Sequence, residues 1–266
     1  MKKPLALVAA LLVLASALAF AAPAGAGKIY WTNGKNGTVG RANLNGTHVD
    51  RRFIRGAETR WDVAVNAAHL YWTTRGGIGR SNLNGGALDL GFVTGARRTL
   101  GVAADGAHVY WASSNFNAIG RANLDGKSAD QGFITNAGGP LEVAVDSAHV
   151  YWAHGAIGRA NLDGTGVEKR FITSTGRLCA LAVDARHVYW SIGNAIGRAN
   201  LNGTHANRRF ITGAGDPCGV AVSARHVYWA SAINNAIGRA KLDGTRVDKR
   251  FITRAGRPIG LAVGPG

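Results

Sequence analysis

Histidines are the residues of this sequence best suited to bind a metal ion or to transfer a proton. Five of the eight stand two residues before a tyrosine: His69, His108, His149, His187 and His226. Side chains that recur in one local context occupy copies of one structural position, so these five do not converge on one metal. The H-E-x-x-H, G-x-S-x-G, P-loop and Cys-x-x-Cys patterns are absent from the sequence. We therefore assign no catalytic residue, no metal ligand and no cofactor.

Two carboxylates stand out in a column of otherwise small residues. When the internal repeats of the chain are aligned, one position of the innermost predicted strand reads Asp62, Gly101, Glu142, Ala180, Gly219 and Gly260. A pair of carboxylates can bind a cation or act as an acid and a base. We favour the alternative that Asp62 and Glu142 are two solvated charges at the entrance of a channel.

The only two cysteines, Cys179 and Cys218, each lie ten residues before a tyrosine. They therefore occupy the same position in neighbouring repeats. We predict a disulfide between them, because residues 1–22 have the pattern of an export signal and an exported protein meets an oxidising environment. The alternative is two small buried thiols, since equivalent Cα atoms of neighbouring repeats can exceed the roughly 7 Å limit for a bridge.

These positions belong to an internal repeat of about 40 residues. Six Tyr-Trp pairs mark it: Tyr30-Trp31, Tyr71-Trp72, Tyr110-Trp111, Tyr151-Trp152, Tyr189-Trp190 and Tyr228-Trp229. Each pair is followed by Ile/Val-Gly-Arg, by a Leu-Asn/Asp-Gly turn, by Phe-Ile/Val and by a small apolar segment. Each repeat thus contains four short apolar runs separated by turn residues, and no segment of helical length intervenes.

Four strands per repeat of this length are typical of a β-propeller blade. We therefore predict an all-β protein whose residues 28–266 form a single six-bladed β-propeller with four-stranded antiparallel blades. The first repeat lacks the small apolar strand, whereas the chain finishes with that strand at residues 259–263. The N- and C-terminal strands are therefore expected to pair and close the ring, which removes its open edges.

The repeats resemble the YWTD repeats of low-density lipoprotein receptors, also called class B repeats, which form six-bladed propellers. The resemblance covers residues 28–263. It is carried by Val-Tyr-Trp, by Ile-Gly-Arg-Ala-Asn-Leu-Asp-Gly at residues 119–126 and 157–164, and by Leu-Ala-Val-Asp at residues 181–184. The family's acid after Tyr-Trp-Thr is absent from all six copies. Its salt bridge with the repeated arginine, and receptor-like ligand binding, are therefore not carried over.

Residues 1–22 have the layout of a secretory signal peptide. Lys2 and Lys3 precede an apolar run that ends in an Ala-x-Ala site at residues 19–21. A retained membrane anchor is the alternative, but the run is short for a bilayer span. We expect a secreted protein, extracellular or periplasmic, without a transmembrane segment after cleavage.

The chain is strongly basic, with 31 Lys and Arg against 15 Asp and Glu and a net charge of +16. Basic pairs precede the Phe-Ile pair in four repeats: Arg51-Arg52, Lys169-Arg170, Arg208-Arg209 and Lys249-Arg250. Attraction to an anionic polymer is one interpretation, and a solvated rim is the other. Nucleic acid is disfavoured as a partner, because the sequence shows no groove of alternating aromatic and basic residues.

The segments after Tyr-Trp and after Phe-Ile/Val vary in length and chemistry, and both are predicted to lie on one face of the ring. An asymmetric ligand requires such an asymmetric surface. The candidate ligand-binding residues are therefore Trp61, Asp62, Arg98, Phe116, Glu142, His154, Arg177 and Arg257. The alternative is that these loops vary because nothing constrains them.

The predicted function is that of a monomeric, secreted, non-enzymatic binding module that recognises a protein or an anionic cell-surface polymer. Two alternatives remain open. One is a propeller hydrolase or lyase with an axial metal site, and the other is a purely structural extracellular protein.

Overall fold

Six four-stranded antiparallel sheets form the protein. The computed structural model describes residues 27–265 except residues 35, 97, 174, 175 and 177. Every regular element within these residues is a β-strand, and none is a helix that could cross a membrane. The predicted all-β, six-bladed β-propeller is thereby confirmed. The predicted signal peptide lies outside the described residues.

The strands are numbered in chain order, and each blade runs from its innermost strand at the axis to its outermost strand. Blade 1 contains β24 (Pro258–Gly264), β1 (Lys28–Asn33), β2 (Thr38–Asn43) and β3 (Asp50–Ile54). Blade 2 contains β4 (Val63–Val65), β5 (His69–Thr73), β6 (Gly77–Asn82) and β7 (Asp89–Thr94). Blade 3 contains β8 (Thr99–Ala104), β9 (His108–Ser113), β10 (Ala118–Asn123) and β11 (Asp130–Ile134).

The remaining three blades repeat this order. Blade 4 contains β12 (Glu142–Val145), β13 (His149–Ala153), β14 (Ile157–Asn161) and β15 (Glu168–Ile172). Blade 5 contains β16 (Leu181–Val183), β17 (His187–Ile192), β18 (Ala195–Asn200) and β19 (Asn207–Thr212). Blade 6 contains β20 (Gly219–Val222), β21 (His226–Ser231), β22 (Ala236–Lys241) and β23 (Asp248–Thr253).

The ring is closed in blade 1, where the last strand of the chain joins the first. Strand β24 pairs antiparallel with β1, so that Lys28 lies opposite Gly264 and Trp31 lies opposite Leu261. The inner strands of neighbouring blades contact one another all the way around, including β20 with β24 and β24 with β4. The predicted closure by the two terminal strands is therefore confirmed.

A layer of Tyr-Trp pairs fills the spaces between the blades. All six tryptophans and all six tyrosines of these pairs are fully buried. Each cluster of the core joins two blades, as where Ala64 and Tyr71 of blade 2 pack with Trp111 of blade 3. The glycine of each Ile/Val-Gly-Arg lies against the indole, so that a Cβ atom at Gly120 would overlap the ring of Trp111. The repeated alanines and glycines thus make room for the tryptophans.

The repeated arginines also have a structural role. Each stacks on the Phe ring of its own blade, with 3.8 Å from the Arg41 guanidinium carbon to the Phe53 centroid and at most 4.3 Å in the other pairs. Four of them also donate to a leucine carbonyl of the next blade, for example Arg198 Nη1 to Leu242 O at 2.7 Å.

The five repeated histidines are half-buried and lie in five different blades. Each ring packs against the tyrosine two residues later, with centroids 5.8–6.1 Å apart. They are copies of one structural position.

Candidate functional site

The strand connections form two faces of the ring that differ in regularity. The turn face holds the connection from the inner to the second strand and that from the third to the outer strand. In five blades an Asp, Asn or Ser of the first of these turns accepts two backbone N–H groups, as Asp146 does from Ala148 and His149 at 2.8 and 2.7 Å. The loop face holds the other connections. Between the second and third strands these range from two residues in blade 5 to four in blade 3.

Large apolar side chains are exposed on the loop face. Trp61 is 48% exposed, Phe116 is 49% exposed and Ile233 is 73% exposed. Sequence reasoning found the first two and missed Ile233. Its signal was present, because an isoleucine in a four-residue hairpin connection has no core to enter. Loop-face apolar residues are thus found in blades 2, 3 and 6.

The backbone of Trp61 is hydrogen-bonded to both of the blades that its loop connects. Its N–H donates to Thr73 Oγ1 of blade 2 at 3.0 Å, and its carbonyl accepts from Thr32 Oγ1 of blade 1 at 2.8 Å. Thr32 Oγ1 in turn accepts the N–H of Gly260 at 2.9 Å. The exposed indole is therefore presented from a fixed backbone, which lowers the entropy lost on binding.

Arg98 lies beside the hairpin connection that carries Phe116. It is exposed, and its Nη1 donates to Asn115 Oδ1 at 3.0 Å. Asn117 Oδ1 accepts the N–H of Gly139 at 2.7 Å, which ties this connection to the loop that enters blade 4. A guanidinium and a phenyl ring are thus placed on one braced turn.

Two other predicted loop residues have different surroundings. Arg257 is exposed on the loop that enters β24, and its N–H donates to Asn235 Oδ1 at 2.8 Å. The His154 ring contacts the Lys169 carbonyl at 2.6 Å, on the outermost strand of its own blade and away from the axis. Arg177 lies outside the described residues.

The two carboxylates of the axial column are buried, so the expectation of two solvated charges is wrong. Asp62 is 8% exposed and Glu142 is 7% exposed. Asp62 Oδ2 accepts the N–H of Val102 at 3.0 Å, Glu142 Oε1 accepts the N–H of Val143 at 3.0 Å, and the two carboxyl groups are hydrogen-bonded to each other. Sequence reasoning placed them in one column but did not bring them together.

Burial changes the protonation of this pair. Loss of hydration raises the pKa of Asp62 to about 6. Burial, followed by the charge of Asp62, raises the pKa of Glu142 well above its ordinary range. The hydrogen bond between the two groups lowers the pKa of Asp62 and raises that of Glu142, so Glu142 is the donor when the pair shares one proton.

A glycine between the two carboxylates lets them meet. Asp62 belongs to blade 2 and Glu142 to blade 4, and Gly101 of blade 3 lies between them in the column. A Cβ atom at Gly101 would overlap Glu142 Oε1 and lie 2.6 Å from its Cα. A Cβ atom at Gly260 would lie 2.5 Å from Asp62 Oδ1. The missing Cβ atoms of these two glycines leave the space into which the carboxyl groups extend.

The cavity at the axis is small. Its volume is about 50 Å³, and besides the carboxyl pair it is lined mainly by apolar residues such as Val102, Leu181 and Leu261. This volume suits one or two water molecules. Among the described residues, no group of three or more His, Cys, Asp or Glu side chains could hold a metal ion. The pair can share a proton, but the cavity does not hold an organic substrate.

The two cysteines precede the inner strands of adjacent blades. Cys179 is exposed and its N–H donates to Ser191 Oγ at 3.2 Å, whereas Cys218 is half-buried and its N–H donates to the Ala230 carbonyl at 3.0 Å. The disulfide between them stays a prediction.

Comparison with known proteins bears on the repeat and on the fold. Residues 27–54 match the family model described as low-density lipoprotein receptor repeat class B. The match covers β1, β2 and β3 of blade 1. In it, Asn33 stands in place of the family's acid and accepts from Trp31 Nε1 at 3.0 Å, while its amide donates to the Arg51 carbonyl at 2.7 Å. The resemblance inferred from the sequence is confirmed.

Solved structures of three other proteins are similar to this chain. A chain of the nidogen/laminin complex matches with a TM-score of 0.74 and 17% identity, over 89% of this chain and 98% of that chain. A streptogramin B lyase matches with a TM-score of 0.63 and 16% identity, over 88% and 83%. A gluconolactonase from Xanthomonas campestris matches with a TM-score of 0.59 and 17% identity, over 74% and 76%. At these identities the likeness shows the fold. No curated protein matches the sequence.

Proposed function

We propose that this protein is an exported, non-enzymatic β-propeller that binds a protein partner through its loop face. The observation that carries the proposal is the exposure of Trp61, Phe116 and Ile233 on that face. Exposed aromatic side chains beside an arginine are the composition of binding hot spots. The bracing of Trp61 by Thr32 and Thr73 supports the same role, because a rigid anchor loses little freedom on binding.

The export and the setting of the partner belong to the same proposal. The signal-peptide pattern of residues 1–22 supports an extracellular or periplasmic partner. The fold shared with a chain of the nidogen/laminin complex supports a role in binding protein.

An enzymatic function is the second candidate, favoured by the carboxyl pair at the axis and by the fold shared with a lyase and a lactonase. Burial of Asp62 and Glu142 and a cavity of about 50 Å³ count against it. A hydrolase or lyase needs its acid and base within reach of a bound substrate.

A capture experiment with matched variants tests the proposal. The mature protein is immobilised and exposed to the surface and secreted proteins of its source cells. A loop-face variant carries Trp61→Ser, Phe116→Ser and Ile233→Ser. The control carries Leu88→Ser, Val167→Ser and Val247→Ser, which remove three exposed apolar side chains from the turn face.

We expect one partner to be retained by the wild-type protein and by the turn-face control, and to be lost with the loop-face variant. Once it is identified, Trp61→Ala should weaken its binding by at least about 1 kcal/mol. A partner retained equally by all three proteins would show that the loop face is not the binding surface.

A further inference from the structure

The outer strands of four blades carry exposed basic pairs, and these four blades are consecutive around the ring. The pairs lie on β15, β19, β23 and β3, in blades 4, 5, 6 and 1, and all eight side chains are exposed. We call these eight residues the basic arc: Lys169, Arg170, Arg208, Arg209, Lys249, Arg250, Arg51 and Arg52. Six of them are arginines, whose planar fork pairs well with oxyanions.

The fold does not require these charges, as blades 2 and 3 show. In all six blades the pairing of the third and outer strands shifts register at this point. In blades 2 and 3 the two positions are Leu90-Gly91 and Gln131-Gly132. Asp89 and Asp130 of these blades each accept the N–H of the residue two positions later, as Asp248 does in blade 6. In blades 2 and 3 the bulge protects the edge strand without a basic pair. Edge protection therefore does not explain the basic pairs of the other four blades.

The charge of the whole ring is equally one-sided. Residues 27–62 and 141–266 contain 23 Lys and Arg and 11 Asp and Glu, for a net charge of +12. Residues 63–140, which include blades 2 and 3, contain six and four, for a net charge of +2. The positive potential is therefore concentrated on the side of the basic arc.

Long basic side chains bridge the gaps between the blades of the arc. Arg51 Nε of blade 1 donates to the Arg254 carbonyl of blade 6 at 2.6 Å, and Arg51 Nη2 donates to the Thr253 carbonyl at 3.2 Å. The Lys249 ammonium of blade 6 lies against Gly213 of blade 5. These contacts join the outer strands of blades 1, 6 and 5 into a continuous strip.

The strip opens into a groove at blade 5. Arg208 and Arg209 line a cavity of about 380 Å³ together with Ile192 and Thr212. Arg51 and Lys249 each reach the end of the neighbouring outer strand with one side chain. A ligand that contacts all four pairs follows the rim across three gaps between blades.

We propose that the basic arc binds a linear anionic polysaccharide laid along the circumference of blades 4, 5, 6 and 1. One exposed basic pair on each of four consecutive blades suits a chain that carries acidic groups at regular intervals. Nucleic acid fits less well, because bases bind on aromatic platforms. Among the described Phe, Tyr and Trp residues only Trp61 and Phe116 are exposed. Trp61 lies in the loop between blades 1 and 2 and Phe116 in a hairpin connection of blade 3, so neither lies on an outer strand of the arc. This site is independent of the protein-binding surface proposed for the loop face.

Heparin fragments of increasing length are the probe that tests this site. Their Kd for the mature protein is measured by titration calorimetry at two salt concentrations. We expect the affinity to rise with fragment length until the chain reaches all four pairs, because longer chains engage more pairs. The double variant Arg208→Gln, Arg209→Gln should weaken binding of the long fragments several-fold and flatten the salt dependence, since fewer counterions are released.

A variant with the same loss of charge elsewhere is the control. Arg75→Gln with Lys127→Gln removes two exposed charges from blades 2 and 3 and should leave the Kd within about twofold. Trp61→Ala should also leave heparin binding unchanged, which separates this site from the loop face.

Three results would overturn the proposal. The control variant could lose as much affinity as the arc variant, which would mean that only net charge acts. Affinity could be independent of fragment length, which would exclude engagement of several pairs. Single-stranded DNA of matched charge could bind more tightly than heparin and depend on Arg208 and Arg209, which would make nucleic acid the ligand.

Discussion

The layer of Tyr-Trp pairs and the axial column run through the same six blades, yet they tolerate opposite degrees of variation. The layer is identical in every blade because each space between two blades has the same shape and must be filled by the same volume. In the column, six side chains compete for one space at the axis. Two carboxyl groups fit there because Gly101 and Gly260 carry no Cβ atom. Repetition marks what the fold requires, and departure from it marks what the fold leaves open.

Removal of the closing strand should have the largest effect, because it disrupts the layer and the column together. Deletion of residues 259–266 removes the strand that pairs with Tyr30-Trp31, together with the buried Leu261 and the partly buried Ile259 and Val263. Full burial of one such side chain contributes roughly 1.5–3 kcal/mol. The loss is comparable with the stability of a whole domain. We expect no cooperative thermal transition, whereas deletion of residues 265–266 should preserve it. A melting temperature within a few degrees of the full chain would contradict the closure.

Loss of one tryptophan from the layer should have the next largest effect. Trp152→Ala should lower the free energy of unfolding by about 3–5 kcal/mol, because the indole is fully buried between two blades. Trp61→Ala is the control outside the layer and should change it by no more than about 0.5 kcal/mol. Urea unfolding curves of both variants measure the difference. Equal losses would mean that Trp61 belongs to the core.

The carboxyl pair should make stability depend on pH. Both groups bind protons more tightly in the folded ring than in the unfolded chain, so their stabilisation is complete below about pH 4 and is lost as the pH rises. A rise of the Asp62 pKa from 3.8 to about 6 corresponds to about 3 kcal/mol. Burial lowers the pKa of His69 and His226, which favours folding at the higher pH and opposes the effect of the pair. The contribution of the pair is therefore the loss of stability between pH 5 and pH 8, measured by urea unfolding, that is present in the wild-type protein and removed in Glu142→Gln. Hydrogen bonds from threonine lower the pKa of the exposed Asp163 and Asp243. These two groups therefore change the stability only at pH values below the ordinary pKa of an aspartate.

A neutral amide at one position tests the origin of this dependence. Glu142→Gln should raise the stability at pH 8 and weaken the dependence, because one buried ionisable group is removed. The control Glu168→Gln lies on the exposed outer strand β15 and should leave both the stability at pH 8 and the pH dependence unchanged. Unchanged pH dependence in Glu142→Gln would assign the effect to other groups.

A methyl group in the column should have the smallest effect. Gly101→Ala places a Cβ atom on the Glu142 carboxylate and should cost about 1–3 kcal/mol, because the carboxyl pair must separate. Gly106→Ala is the control, since a Cβ atom there meets nothing within 4 Å. Thermal melts of the two variants should differ by several degrees. Equal melting temperatures would show that Glu142 can move aside freely.

Sequence reasoning predicted the parts of the structure that recur. The Tyr-Trp spacing indicated six blades, and the incomplete first repeat indicated closure by residues 259–263. The burial of Asp62 and Glu142 was not predictable in this way, because it depends on side chains from blades 2 and 4 that meet across Gly101. The stacking of Arg41 on Phe53 was hidden for a related reason, since the two residues adjoin only through the pairing of β2 with β3.

The pairing of β24 with β1 also determines how the ring responds to mechanical load. Lys28 and Gly264 lie opposite each other at the same end of an antiparallel pair. A pull between them therefore loads the hydrogen bonds one after another, and β24 peels from β1 before any other strand separates. The seam that gives the ring its closure is thus its weakest point under tension applied along the chain, although it is as well paired as the other blades at rest.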